Sequence, residues 1–140
     1  MKLLIDTNVY LEYFLKRERF DIVRKFFHEA IERKYQTCIT AMSLRDIGYI
    51  VHKYTHDKDL TRKIQINAYC MTSKVISTSD SAAIESLYSD IDDYEDSLQS
   101  YAAELAMCVA IITWNKKDFK GSRVPVYTPE EIYNIWIGSK

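Results

Sequence analysis

Four aspartates stand where a chain of alternating strands and helices would bring acidic groups together: Asp6, Asp46, Asp96 and Asp118. Asp6 closes the apolar run Leu3-Leu4-Ile5. A charge ending a buried strand must find a partner, because burying it alone is costly. Asp46 follows a β-branched stretch and Asp96 opens a helical one. Asp118 trails another apolar run by a few residues, with Asn115 nearer still. Grouped carboxylates raise one another's pKa unless a cation joins them. Oxygen ligands without His or Cys suit Mg²⁺ or Mn²⁺. Such ions serve phosphodiester cleavage, because they activate water, bind the scissile phosphate and stabilise the leaving oxygen.

Each carboxylate also has a plainer explanation. Asp46 and Asp96 gain about 0.3–1 kcal/mol each simply by standing near a helix N-terminus. Asp93 can act as an N-cap with Asp96 as its reciprocal partner. The run Asp92 to Asp96 reads equally as a solvated acidic face.

The elements that must position these groups are legible from periodicity. Lys2–Ile5 reads as a short buried strand. A helical pattern begins at Asn8 and a second spans Phe20–Lys34, with apolar residues at Ile22, Val23, Phe26, Phe27, Ala30 and Ile31. Gln36–Thr40 is a β-branched strand candidate. Ser43 is an expected N-cap, with Asp46 three residues on in a capping box, which places Asp46 in the first helical turn. Further helices are expected over about 59–69, from Asp80 onward, and over Ser97–Met107. Short strands are expected at Val75–Ile76, Val109–Thr113 and Val124–Tyr127. Thr128-Pro129-Glu130-Glu131 starts a last helix.

Short, continuously apolar strands alternating with helices predict an α/β fold: a parallel sheet of four to five strands sandwiched between helices. Crossovers should be right-handed. Sites in such folds lie beyond the carboxyl ends of the strands. Asp6, Asp46 and Asp118 fall there directly. Asp96 joins them only if its helix begins at the same edge.

The 140 residues favour one domain, 1–140, long enough to bury roughly two thirds of its unfolded surface. Three Gly and two Pro leave no linker to mark a second. Basic and acidic residues nearly balance, 19 against 20, so a global basic grip on nucleic acid is excluded while a local one is not. Cys38, Cys70 and Cys108 are widely spaced and read as buried or half-buried thiols in a reducing cytosol. The apolar run before Asp6 is too short for a signal peptide, and no stretch reaches the roughly 20 apolar residues of a membrane span. A cytoplasmic location, with no membrane partner, is the expectation.

Four segments, in this order, are similar to one family: Leu3-Leu4-Ile5-Asp6-Thr7-Asn8, Ser43-Leu44-Arg45-Asp46-Ile47, Asp93-Tyr94-Glu95-Asp96-Ser97-Leu98-Gln99, and Ile111-Ile112-Thr113-Trp114-Asn115-Lys116-Lys117-Asp118-Phe119. Over nearly the whole chain the sequence resembles the PIN domain, and within it the small VapC-like toxin nucleases of bacterial toxin–antitoxin modules. The resemblance implies an endoribonuclease dependent on Mg²⁺ or Mn²⁺. It implies Asp6 and Asp96 as metal ligands, Asp46 and Asp118 as further catalytic carboxylates, and Asn8, Thr113 and Asn115 as supporting groups. Asp46 stands where most members have Glu, and Asn115 where many have Asp. Trp114 stands where relatives often have Arg. Lys116, Lys117, Lys120 and Arg123 supply positive charge nearby. Arg45, Lys116 and Lys117 are the expected substrate contacts. RNA, a small antitoxin and a second copy of the chain are the implied partners, with Tyr10, Tyr13 and Phe14 either core or dimer surface.

Rival readings are weaker. A phosphotransferase of haloacid-dehalogenase type needs an Asp where Asn8 stands. A zinc site at His52 and His56 lacks a third ligand. A catalytically degenerate PIN fold that binds RNA or protein without cutting is the main alternative.

Overall fold

A computed structural model of the chain describes residues 1–139. Its centre is a five-stranded parallel sheet in the order β3-β2-β1-β4-β5. The strands are β1 (Lys2–Ile5), β2 (Gln36–Thr40), β3 (Lys74–Ile76), β4 (Cys108–Ile112) and β5 (Val126–Tyr127). Seven helices flank it among the described residues: α1 (Thr7–Phe14), α2 (Phe20–Glu32), α3 (Ala41–Thr55), α4 (Lys58–Met71), α5 (Asp80–Ser86), α6 (Tyr94–Leu105) and α7 (Pro129–Gly138). None is long and apolar enough to cross a membrane.

Alternation along the central strand explains the layers. Leu3 and Ile5 face one core with Ile39, Ala110 and Ile112, while Leu4 faces another with Cys38 and Ile111. Side chains of a strand alternate between faces, so β1 can be apolar throughout only if helices cover both sides. Helices α1, α2, α3, α4 and α7 supply the first core through Val9, Val23, Phe26, Ile47, Ile64 and Trp136. Phe26 and Trp136 stack at 5.8 Å and 8°. Tyr10 is fully buried and Tyr13 and Phe14 pack on this core, so the aromatic first helix is core. Helix α6 closes the other face with Ala102 and Ala103, small residues that let it approach the sheet.

Three expectations are corrected. Helix α3 is capped by Thr40, whose hydroxyl accepts the Ser43 N–H at 3.0 Å. The helix therefore begins before Ser43, and Asp46 lies in its second turn. Helix α6 begins at Tyr94, capped by Asp93, which keeps Asp96 in its first turn. Cys70 is exposed, while Cys38 and Cys108 are buried. The capping box of α7 stands as expected, with Thr128 and Glu131 exchanging hydrogen bonds of 3.0 and 2.9 Å.

Strand order reverses between β1 and β4. From β1 the chain moves outward through β2 to β3, then returns to the other side for β4 and β5. A crevice forms at such a switch point, at the carboxyl ends of the strands, where helices leave in opposite directions. Asp6 and Thr113 are the residues that follow those two strand ends.

Candidate active site

Asp6 is the centre of the crevice. Its N–H donates to Ile112 O at 2.9 Å, tying the end of β1 to β4. Its side chain caps α1, with Oδ1 accepting the Thr7 N–H at 2.8 Å. Oδ1 also accepts from Gln99 Nε2 at 2.8 Å, and Oδ2 accepts from Thr113 Oγ1 at 2.8 Å and from Asn8 Nδ2 at 3.3 Å. Two donors per oxygen fix the carboxylate's orientation completely. Burial pushes its pKa up, the hydrogen bonds from Gln99, Thr113 and Thr7 pull it down, and the charge of Asp118 pushes it up again.

The supporting groups are linked to one another. Asn8 Nδ2 donates to Thr113 Oγ1 at 3.1 Å, and Asn8 Oδ1 accepts the Trp114 N–H at 3.1 Å. Thr113 Oγ1 also accepts the Asn115 N–H at 3.1 Å. Asn8 and Thr113 thus clamp the ends of β1 and β4 around Asp6. The Asn115 side chain is exposed and caps nothing.

Gln99, which sequence reasoning did not single out, holds Asp6 in place. It is buried, one turn along α6 from Asp96, and its Oε1 accepts from Ser43 Oγ at 3.3 Å. Ser43 Oγ in turn accepts from Thr40 Oγ1 at 3.2 Å. A polar relay therefore runs from the end of β2 through α3 and α6 to Asp6. The available signal was a lone amide on the inward side of a helix that otherwise buries Ser and Ala.

Asp96 meets the condition set by the fold. Its helix begins at the strand-end edge, and its carboxyl is pushed up to about 7 by burial first, then by the charges of Asp6, Asp93 and Asp118. Asp93 is both the N-cap of α6, accepting the Asp96 N–H at 3.1 Å, and part of this acidic neighbourhood. Asp118 lies in a short 3₁₀ turn, Lys116–Phe119, and is exposed. Asp96, Asp93, Asp90 and Asp92 face Asp118, Lys117 and Lys120 across a cleft of about 510 Å³. Gly121 turns the chain out of this cleft at φ 99°, a conformation that strains any side chain.

Asp46 stands on the rim. Arg45 pairs with its Oδ1 at 2.9 Å and reaches Glu95 at 3.5 Å, so one guanidinium bridges α3 to the start of α6. Lys116 is drawn away to Glu131 on α7 at 2.9 Å, whereas Lys117 lines the cleft. The histidines stand apart: His52 and His56 lie on and just after the last turn of α3, their rings 6.2 Å apart.

The structure brings Asp96 within reach of the charges of Asp6 and Asp118, and Asp6 within reach of Asp118, while Asp46 is tied through Arg45 to the start of α6. Among the described residues, no three His, Cys, Asp or Glu side chains close tightly enough to cage an ion. The donor set still fits Mg²⁺ or Mn²⁺. Mg²⁺ keeps several waters and is commonly held by one or two carboxylates together with substrate phosphate, with no protein cage.

Residues 2–117 match the PIN domain, and the chain belongs to that family. A chain in the structure of VapBC2 from Rickettsia felis, bound to a DNA fragment from its promoter, superposes with a TM-score of 0.72 at 15% identity, covering 91% of this chain and 98% of that one. A chain in the structure of FitAB bound to an IR36 DNA fragment superposes with a TM-score of 0.72 at 14% identity, covering 91% and 94%. At such identities the likeness is one of fold. No curated protein matched the sequence at a significant level.

Proposed function

We propose that this chain, as a single domain, is a divalent-metal-dependent endoribonuclease and the toxin of a toxin–antitoxin module. The observation behind the reading is the meeting of Asp6, Asp96 and Asp118 at the switch point, with Asp96 pushed to about 7 by burial and then by the charges around it. Carboxylates gathered this way raise one another's energy until a cation joins them. Perturbed acids in a cleft mark functional sites more often than chance.

Asp6 and Asp96 are the proposed ligands. A bound Mg²⁺ or Mn²⁺ would supply positive charge to the scissile phosphate and acidify a nearby water. Asp6 stays oriented because Gln99, Thr113, Asn8 and the Thr7 N–H hold both its oxygens. Asp118, exposed across the cleft, orients the attacking water and takes its proton. Water adds to phosphorus, the bond to the 3′ oxygen breaks, and the leaving oxygen takes a proton from solvent. Lys117 in the cleft and Arg45 on the rim contact substrate phosphates.

The partners follow from the same reading. The two structural neighbours are parts of VapBC and FitAB complexes on DNA, which supports an antitoxin as the protein partner. A homodimer belongs to the proposal too, with exposed Ile84, Leu87 and Tyr88 available for an interface. A binding-only PIN fold is the second reading, favoured by the uncharged Asn115 and by the Arg45 hold on Asp46.

The test is incubation of the purified chain with mixed RNA and DNA pools in Mn²⁺. RNA cut and DNA spared supports the proposal. Both pools intact, with RNA retained on the protein, favours the binding-only reading.

A further inference from the structure

Trp114 follows Thr113 at the end of β4, and its N–H donates to Asn8 Oδ1, so its backbone belongs to the network that holds Asp6. Its ring packs, half-buried, on the core that α1 and α2 share. The Arg19 guanidinium lies over that ring, 4.5 Å from its centroid.

Arg19 occupies an awkward position for its own helix. It is the N-cap of α2 and makes no side-chain cap hydrogen bond. Ser, Thr, Asp or Asn is preferred there, and the positive end of the helix disfavours a cation. Glu12 accepts its peptide N–H at 3.0 Å, a contact with the backbone alone. Among the described residues no carboxylate lies within ion-pair distance of its guanidinium. Arg45 is engaged by Asp46 and Glu95, Lys116 by Glu131, and Arg24 and Lys25 by Asp21, while Lys117 and Lys120 line the carboxylate cleft itself. A guanidinium lying on an indole keeps its N–H edge free, and that edge matches two phosphate oxygens.

We propose that Arg19, held by Trp114, binds a backbone phosphate of single-stranded nucleic acid entering the carboxylate site. The choice of ligand rests on the nuclease reading above. The stack fixes one face of the guanidinium before binding, which lowers the ordering cost of the contact. It also places a cation at the β4 end although Trp114 itself carries no charge.

The experiment is fluorescence anisotropy with a labelled single-stranded RNA of mixed sequence and its DNA counterpart. Ca²⁺ is present, and NaCl is varied. R19A should bind RNA about five- to tenfold more weakly, a loss on the order of one tenfold step in affinity. The slope of log K against log salt should fall by about 0.7, the contribution of one phosphate contact on a single strand. R19K should keep the slope and recover part of the affinity. W114L should behave as R19A does. Arg19 is exposed, so thermal melting of R19A should match that of the parent.

An R19A protein with parental affinity and slope would overturn the proposal, as would a parent that binds no RNA. A loss confined to RNA, with DNA binding unchanged, would overturn the phosphate assignment. Arg19-dependent binding without any cleavage in Mn²⁺ would sink the nuclease reading and leave this inference standing.

Discussion

In the metal-free protein, Asp96→Asn should raise stability at about pH 8 and leave it unchanged at about pH 4. The folded pKa of Asp96 is raised from 3.8 to about 7. A raised group contributes stability that is present in full below its unfolded value and is lost as pH rises through the folded one. Above that point the parent carries an ionised carboxylate beside Asp6, Asp93 and Asp118, and Asn does not. The gap between the two values corresponds to at most about 4 kcal/mol. Asp96 is only half-buried, so solvent screening reduces this to about 1–2 kcal/mol. Against it stands the favourable placement of an anion in the first turn of α6, about 0.3–1 kcal/mol. Burial and repulsion together win, with a net gain of about 1 kcal/mol, or roughly 2–4 °C in Tm for a chain of this size. Thermal melts in EDTA at the two pH values check it. An Asp96→Asn protein that melts lower at the higher pH, or with the same offset at both, would refute the reasoning.

Gln99→Leu removes a donor from Asp6 Oδ1 and an acceptor from Ser43 Oγ in a buried setting. It should cost about 1–3 kcal/mol in stability and weaken Mn²⁺ binding about 10–100-fold, read by melting and by electron paramagnetic resonance of free Mn²⁺. Thr128→Ala breaks the capping box of α7, far from the carboxylates in role, and should cost about 1 kcal/mol in melts while leaving Mn²⁺ binding untouched.

Much of this architecture was legible because the strands are short, apolar and separated by helices of clear period. Leu3-Leu4-Ile5 could only be a strand buried on both faces, and a parallel sheet then put Asp6 at its functional edge. Boundaries were harder. Ser43 and Thr40 are both good caps, and the choice between them turned on the Thr40 backbone at the end of β2, which no local pattern encodes. The turn holding Asp118 was missed because four residues of 3₁₀ structure leave no periodic trace. Gln99 lay unmarked within a matching segment, since its role depends on Asp6, 93 positions away in sequence. Asp93 was read as a cap and is one, yet its charge also acts on Asp96. The Arg19 stack on Trp114 joins residues far apart in the sequence, and neither residue type announces it.

The most direct test of the central claim compares the parent with Asp6→Asn/Asp96→Asn, measuring Mn²⁺ binding and cleavage of a mixed RNA pool side by side, with an EDTA control. The account predicts that the parent binds Mn²⁺ and cuts RNA, that EDTA stops the cutting, and that the folded double variant does neither. A double variant that still cuts, or a parent that cuts equally well in EDTA, would contradict it.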